Sequence, residues 1–317
     1  IYEARYPVQK LVFARYHYHY QRDPRRRADY TALAARDGGI ALQEFPIRNL
    51  GPWFSSDRVQ WHRDELSDMV LSGIDVVLPI YRGDKQSRAA YSAKGLDCLV
   101  SALADLRSEG KPYPLVAMLF DLSSLQAAYG GKPPSLKDDQ ARRVFYGMIK
   151  DFFDRVPREF QAWAQTGKPR AGERASIVFL ENVTAVTDLD SEALAYACEQ
   201  FERDFGCPVV WIGGKGSTGG CFDGICQAVA ADGLWHSDGG RIRTASVGAG
   251  YDNSAIAEKA VIRSRMGSKV YADDWAVILE KQPQWVVCED WNSFAEGSAL
   301  CATREHGRKY IDVTRAH

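Results

Sequence analysis

No apolar run in this sequence approaches the ~20 residues that a membrane-spanning helix requires, so no helical span is expected. Cysteine pairs of the C-x-x-C type are also missing. The seven cysteines, at positions 98, 198, 207, 221, 226, 288 and 301, have no metal-ligand spacing, which argues against a zinc site. Neither sign of charge is in excess: 40 basic and 41 acidic residues give a net charge of −1 without long blocks. The knot Arg25, Arg26, Arg27 is too short to form the basic face that nucleic-acid binding demands. No GxGxxG follows the first apolar run, which disfavours a dinucleotide-binding doubly wound sheet. The Gly-rich stretch GGKGSTGG, Gly213 to Gly220, lacks the Walker spacing and lies mid-chain, so it reads as a flexible loop. A phosphate-using enzyme built around it would need an anion at that loop. Internal repeats and low-complexity linkers are absent, and a single domain over residues 1–317 is the simplest organisation.

Two further expectations come from the cysteines and the first residue. Cys221 and Cys226 flank a short Gly-containing loop and suit a bridge in an oxidising compartment, although an odd cysteine count suits buried free thiols equally well. The chain starts at Ile1 rather than Met, which favours a secreted or periplasmic protein with an N-terminal segment missing.

With 45% hydrophobic residues, the chain can bury a large core and fold without metal staples. Short apolar runs alternate with longer amphipathic stretches. Eight runs read as strands: Leu11 to Tyr20, Ile74 to Tyr81, Leu115 to Leu122, Ile177 to Glu181, Val209 to Gly213, Gly233 to Ser237, Thr244 to Gly248 and Trp285 to Asp290. Helices are expected at Asp57 to Ser72, Ser92 to Glu109, Lys137 to Trp163, Ser191 to Phe205 and Ala272 to Gln282. The third of these carries Val144, Phe145, Met148, Ile149, Phe152, Phe153 and Val156 on one helical face, which reads as core. Strands alternating with helices point to an α/β fold, a (β/α)8 TIM barrel, with a long loop from Asp23 to Pro52 over its mouth.

In such a barrel the functional residues follow the C-terminal ends of the strands. The first strand ends in Tyr16, His17, Tyr18, His19 and Tyr20, with the two histidines on one face and the three tyrosines on the other. Later strand ends supply Tyr81, Arg82 and Asp84, then Asp121, Glu181 and Asn182, Trp211 and Lys215, Trp235, His236 and Asp238, and Tyr251 with Asp252. The last strand delivers Glu289, Asp290, Trp291, Asn292, Glu296 and Gly297. Rings and carboxylates around a mouth suit a carbohydrate, because sugar C–H faces stack on aromatics while amides and charges take the hydroxyls. Glycosidic cleavage needs one protonated carboxyl at the leaving oxygen and a second group to attack carbon or activate water. Glu296, Glu181, Asp121, Asp290 and Asp252 are the available acids. Asp121 and Asp290 serve equally well as acceptors of loop N–H groups. The pair His17 and His19 is too few ligands for a metal, and no cofactor is implied.

The tail from Trp291 to Ser298, Trp-Asn-Ser-Phe-Ala-Glu-Gly-Ser, followed by Arg304 to Arg315, resembles glycoside hydrolase family 99 and its related barrels, whose eighth strand ends in Trp-Asn-Glu-Trp-His-Glu-Gly-Thr. The aromatic run ARYHYHY, the segment Gly51 to Ser56, SGIDVVLPIYRG and Ala249 to Asp252 resemble other family segments in the same order. The resemblance implies a (β/α)8 fold and hydrolysis of glycosidic bonds, with the best-studied members acting inside α-mannosides with retention. It places the general acid/base on Glu296, and the family's other catalytic carboxylate falls on Ser293. A serine hydroxyl stays protonated near neutral pH and cannot act as a carboxylate base. The second role therefore passes to another acid, Glu181 first and then Asp121 or Asp290, or the chain binds sugar without cleaving it, as a natural or engineered Ser293 form. Tyr16, His17, Tyr81, Arg82, Trp235, Tyr251, Asp252, Trp291 and Asn292 are the expected substrate contacts. Arg82 and Lys215 leave room for an acidic sugar.

Overall fold

A computed structural model describes residues 9–18, 20, 42–47, 55–83, 89–165, 174–217, 220–229, 232–237 and 239–317. His19, Arg25 to Arg27, Gly51 to Phe54, Asp84, Asp238 and most of the expected mouth loop from Asp23 to Pro52 lie outside the described residues.

The strands are β1 (Leu11–Tyr16), β2 (Val76–Tyr81), β3 (Leu115–Val116), β4 (Met118–Asp121), β5 (Trp163–Gln165), β6 (Arg174–Glu181), β7 (Val209–Gly213), β8 (Gly224–Ile225), β9 (Leu234–His236), β10 (Thr244–Gly248), β11 (Tyr251–Asp252), β12 (Ile262–Arg263) and β13 (Trp285–Glu289). The helices are α1 (Val59–Leu71), α2 (Ala89–Ser108), α3 (Ser123–Ala128), α4 (Asp139–Arg155), α5 (Ser191–Phe205), α6 (Lys269–Glu280) and α7 (Lys309–Ala316). Seven strands run parallel in the order β7-β6-β4-β2-β1-β13-β10, the middle of one curled sheet.

Sequence explains the element boundaries where capping residues are present. α5 starts at Asp190, whose carboxylate accepts the N–H groups of Glu192 and Ala193, and stops at Gly206 in the left-handed region with φ 68°. α4 starts at Asp138 in the same way and ends at Arg155, because Val156 precedes Pro157 and is forced extended. The expected helix to Trp163 is therefore cut short, and Trp163 pairs antiparallel with β6 instead.

Another difference concerns the sixth strand. Gly233 to Ser237 was expected there, but Gly233 turns the chain back at φ 83° and Leu234–His236 joins β10 antiparallel as an edge. The place beside β7 is taken by the two residues of β8. Between β8 and β10 no ladder forms among the described residues: Ile242 N–H donates to the Asp223 carbonyl at 2.8 Å, and the Thr244 hydroxyl donates to the Ile225 carbonyl. The structure is thus a mixed α/β fold around a curled, mostly parallel sheet, with the expected closed eight-stranded ring unladdered at this seam.

Alternation along the strands separates two cores. Tyr16, Val77, Phe120, Val178 and Cys288 pack toward the helices, together with Phe145, Ile149 and Phe152 of α4. Phe13, Leu78, Leu119, Phe179 and Val287 fill the inner face, where Phe13, Phe179 and Trp285 hold ring centroids 5.2–6.2 Å apart. One step of two residues further along each strand, that inner face turns from apolar to charged. Phe13 gives way to Arg15, Ile80 to Arg82, Leu119 to Asp121, Phe179 to Glu181 and Val287 to Glu289.

Candidate active site

Arg15 is the hub of this charged layer. Its guanidinium sits 2.7 Å from Glu181 Oε1 and 2.9 Å from Oε2 through one nitrogen, 3.1 Å from Glu289 Oε2 and 3.3 Å from Asp290 Oδ1. Three carboxylates, Glu289 and Asp290 buried and Glu181 half-buried, thus share one cation. Burial pushes Glu181 up from the ordinary range, with Arg15 opposing it. Burial pushes Glu289 to about 7 against the pull of Arg15, and Asp290 is raised for the same reason. A second centre lies beside it: Asp121 accepts from Arg82 Nε at 2.9 Å, Asn182 Nδ2 at 2.7 Å and both the amide and hydroxyl of Ser123. Burial works to raise the Asp121 carboxyl, but Arg82 and these donors outweigh it and hold it low.

Glu296 stands on the other wall, in the short helical turn Phe294–Glu296. Tyr251 hydroxyl donates to its Oε1 at 3.0 Å and Ser293 hydroxyl to its Oε2 at 2.8 Å. Burial and the neighbouring Glu296 raise the Tyr251 phenol, so it stays a donor. The turn is clamped from outside. Arg265 donates to the Gly297 carbonyl at 2.8 and 3.1 Å and to the Ala299 carbonyl at 2.9 Å, and pairs with Glu44 at 2.7 Å. Glu44 in turn accepts the Ala299 amide, and the Gln43 and Glu44 amides donate to the Phe294 carbonyl.

An open pocket joins these groups in two lobes. One, about 320 Å³, is bounded by Arg15, His17, Arg82, Asp121, Glu181, Asp290, Tyr251, Ser293 and Glu296. The other, about 490 Å³, shares Arg15, Glu181, Asn182, Ala228 and Glu289 with it. Burial, and next the positive charge of Arg82, hold the His17 imidazole at about 3, so the ring is neutral at ordinary pH.

Of the expected catalytic acids, Glu296, Glu181, Asp290 and Asp121 all border this pocket, as do the expected contacts His17, Arg82 and Tyr251. The remaining expected contacts are placed elsewhere. Tyr16 is fully buried on the helix side, its hydroxyl 2.9 Å from His62 Nδ1. Tyr81 also faces outward and donates to Asp151 at 2.5 Å. Trp291 is buried with its indole N–H on Glu65 at 2.6 Å. Asn292 is buried and bonds the backbone of His17 twice at 2.8 Å, so it continues β1 as a neighbouring strand would. Trp235 is on the antiparallel edge and Asp252 caps Ser254, both outside the described lining. Arg15 and the part played by Glu289 went unread in the sequence. The signal was parity: Arg15 lies two residues from Phe13 and two from His17 on one strand face.

At the start of the Gly-rich stretch, Gly213 and Gly214 have a packing explanation. A Cβ on Gly214 would lie 2.6 Å from the Leu180 carbonyl oxygen, and one on Gly213 2.4 Å from the Ser217 hydroxyl. All seven cysteines are free thiols, Cys221 and Cys226 included.

The fold is similar to solved structures of the GH99 endo-alpha-mannosidase from Bacteroides thetaiotaomicron. One matches with a TM-score of 0.65 at 16% identity, over 96% of this chain and 95% of that one. The same enzyme in complex with Bis-Tris propane matches with a TM-score of 0.65 at 15% identity over the same shares. The likeness first read in the tail thus extends to the fold of nearly the whole chain. No curated protein matches the sequence. A family model described as a domain of unknown function, DUF5010, matches residues 48–317, and the chain belongs to that family.

Proposed function

We propose that this protein is a glycoside hydrolase that cleaves an oligo- or polysaccharide in the charged lobe, with Glu296 as general acid and Glu181 as its partner carboxylate. The observation carrying this reading is that both acids border one open pocket and are presented in different ways. Glu296 is oriented by two hydroxyl donors. Glu181 is the most accessible acid around the two arginines, its side chain 20% exposed against 10% for Asp290, 5% for Glu289 and 4% for Asp121. In the reaction, the Glu296 proton passes to the glycosidic oxygen as its bond to the ring carbon breaks, and the bonding pair leaves with that oxygen. Glu181, held by Arg15, faces the positive charge that develops on the ring carbon, and Glu296 then recovers a proton from the incoming water. His17, Arg82, Asn182 and Tyr251 supply polar contacts to hydroxyls. α-Mannosides are the first substrates to try, because the solved relatives of like fold are endo-alpha-mannosidase structures.

A second reading, a sugar-binding protein that does not cleave, is favoured by Ser293. Its hydroxyl occupies Glu296 Oε2 where the resemblance expects a carboxylate. A glycan screen with the unaltered chain, Glu296→Gln and Glu181→Gln, reading binding and sugar release separately, decides between them. Release by the unaltered chain, lost in both variants while binding is kept, is expected. Binding without release by the unaltered chain overturns the enzyme and leaves the binder.

A further inference from the structure

The larger lobe has a lining that sugar hydroxyls do not call for. Its inner wall is Leu78, Leu119, Phe179 and Val287, the last apolar layer of the sheet interior, and its side wall is Cys226 and Ala228. The space exists because of the residues at one quarter of the curl. Where β1, β2, β4, β6 and β13 send long charged side chains inward above the apolar layer, β7 continues into Gly214, and the segment through β8 offers Gly224, Cys226 and Ala228 at alternate positions. The pocket is therefore charged on one side and unfilled on the other. It opens past Asn182, Thr184 and Lys215, and its size is within the usual range for small-molecule sites.

We propose that this lobe is a subsite for a neutral apolar appendage, an alkyl, aryl or acyl group, carried by the sugar that occupies the charged lobe, so that the substrate class is an amphiphilic glycoside. The two lobes share Arg15, Glu181 and Glu289, which places the appendage directly beside the sugar. Hydroxyls turned toward Leu, Phe and Val side chains find no acceptors and lose their water bonds, so a bare sugar gains little there. At the boundary Glu181 and Glu289 are both paired with Arg15, so the wall next to the sugar calls for no charge on the appendage. Of the two glycines that line the lobe, Gly214 is accounted for by its close approach to the Leu180 carbonyl and Gly216 by its left-handed backbone at φ 91°, which removes the reason to seat a phosphate on them.

The identity of the ligand as a glycoside rests on the function proposed above, but the test reads binding and does not need turnover. Methyl, butyl and hexyl glycosides of mannose, glucose and galactose, and their 6-O-butanoyl and 6-O-hexanoyl methyl glycosides, are titrated calorimetrically into the full chain. Each methylene that leaves water for an apolar wall multiplies affinity by up to about fourfold, so the three added from methyl to butyl have a ceiling of about 60-fold, and a gain of about tenfold is expected in one series. The series that gains tells whether the appendage is attached through the anomeric oxygen or through O6. Thr184 is exposed and borders this lobe alone, so Thr184→Trp narrows it without touching the charged lobe. It should abolish the chain-length gain and keep the methyl-glycoside affinity, with the unfolding transition unchanged. Affinities within twofold across both series, no measurable binding of any member, or a gain that survives Thr184→Trp each overturn the proposal. Chain-length-dependent binding here with no release in the glycan screen sustains the subsite and sinks the hydrolase; release in that screen without chain-length dependence here does the reverse.

Discussion

Replacing Arg15 by Met keeps the apolar stem of the side chain and removes the cation that, among the described residues, Glu181, Glu289 and Asp290 share at 2.7, 3.1 and 3.3 Å. Breaking a buried ion pair on one side costs about 3–5 kcal/mol, because the remaining charge is left in a poor solvent. Here three carboxylates are stranded together, but each can escape by taking up a proton. Their folded-state pKa values already lie above the ordinary range, and without Arg15 they rise further. A folded state that binds more protons than the unfolded one loses stability as pH rises. The deficit of Arg15→Met relative to the unaltered protein should therefore be smaller at pH 5, where proton uptake relieves the stranded carboxylates, and grow to about 3–5 kcal/mol at pH 8. Urea denaturation followed by tryptophan fluorescence and far-UV circular dichroism at both pH values measures it. A deficit equal at pH 5 and pH 8, or below about 1 kcal/mol at pH 8, would refute the reading of Arg15 as the shared counter-charge.

Glu289→Gln tests the same cluster from the other side. The carboxyl rises from 4.5 to about 7 on folding, so its contribution is fully present below pH 4.5 and lost as pH climbs to 7, a fall of about 3 kcal/mol if Glu289 carries it alone. The amide should flatten that slope and gain stability at pH 8, while keeping the bond from the Val229 amide; an unchanged slope in pH-dependent denaturation contradicts it. Gly214→Ala should cost about 1–3 kcal/mol, because its Cβ would meet the Leu180 carbonyl at 2.6 Å. Gly147→Ala is its control: it lies inside α4 with open space around it and should gain up to about 1 kcal/mol. Equal melting temperatures for the two variants would remove close approach as the reason for Gly214.

The readable parts of the fold are those whose boundaries are set by a local residue. Ser191 to Phe205 matches its helix because Asp190 and Gly206 punctuate it, and the runs Val209 to Gly213 and Thr244 to Gly248 match because parallel strands buried on both faces are continuously apolar. β8 escaped because two residues, Gly224 and Ile225, have no periodicity to detect. In the site, being near a strand's end proved less informative than parity along it. Tyr16 and Tyr81 are as close to the strand ends as His17 and Arg82, but they alternate onto the helix side, where their rings are core. Arg15 was hidden in the aromatic run ARYHYHY, and only its register with Phe13 marks it as interior. Trp291 and Asn292 were read as reaching for ligand, whereas both are occupied with anchoring the end of β13 to α1 and β1.

The clamp on the Glu296 turn has a consequence for any attempt to move this site. Arg265 approaches from beyond β12, Glu44 from more than 200 positions earlier in the chain, and both grip the carbonyls and amides of Gly297 and Ala299 rather than the carboxylate itself. The orientation of the acid is thus only partly encoded in the segment that carries it, through the Ser293 hydroxyl on its Oε2. Grafting Trp291 to Ser298 onto another scaffold would transfer the functional group and its Ser293 bond but not the clamp that aims the turn, and the same segment can tolerate outside loops of new sequence only if they still end in a guanidinium and a carboxylate at those two places.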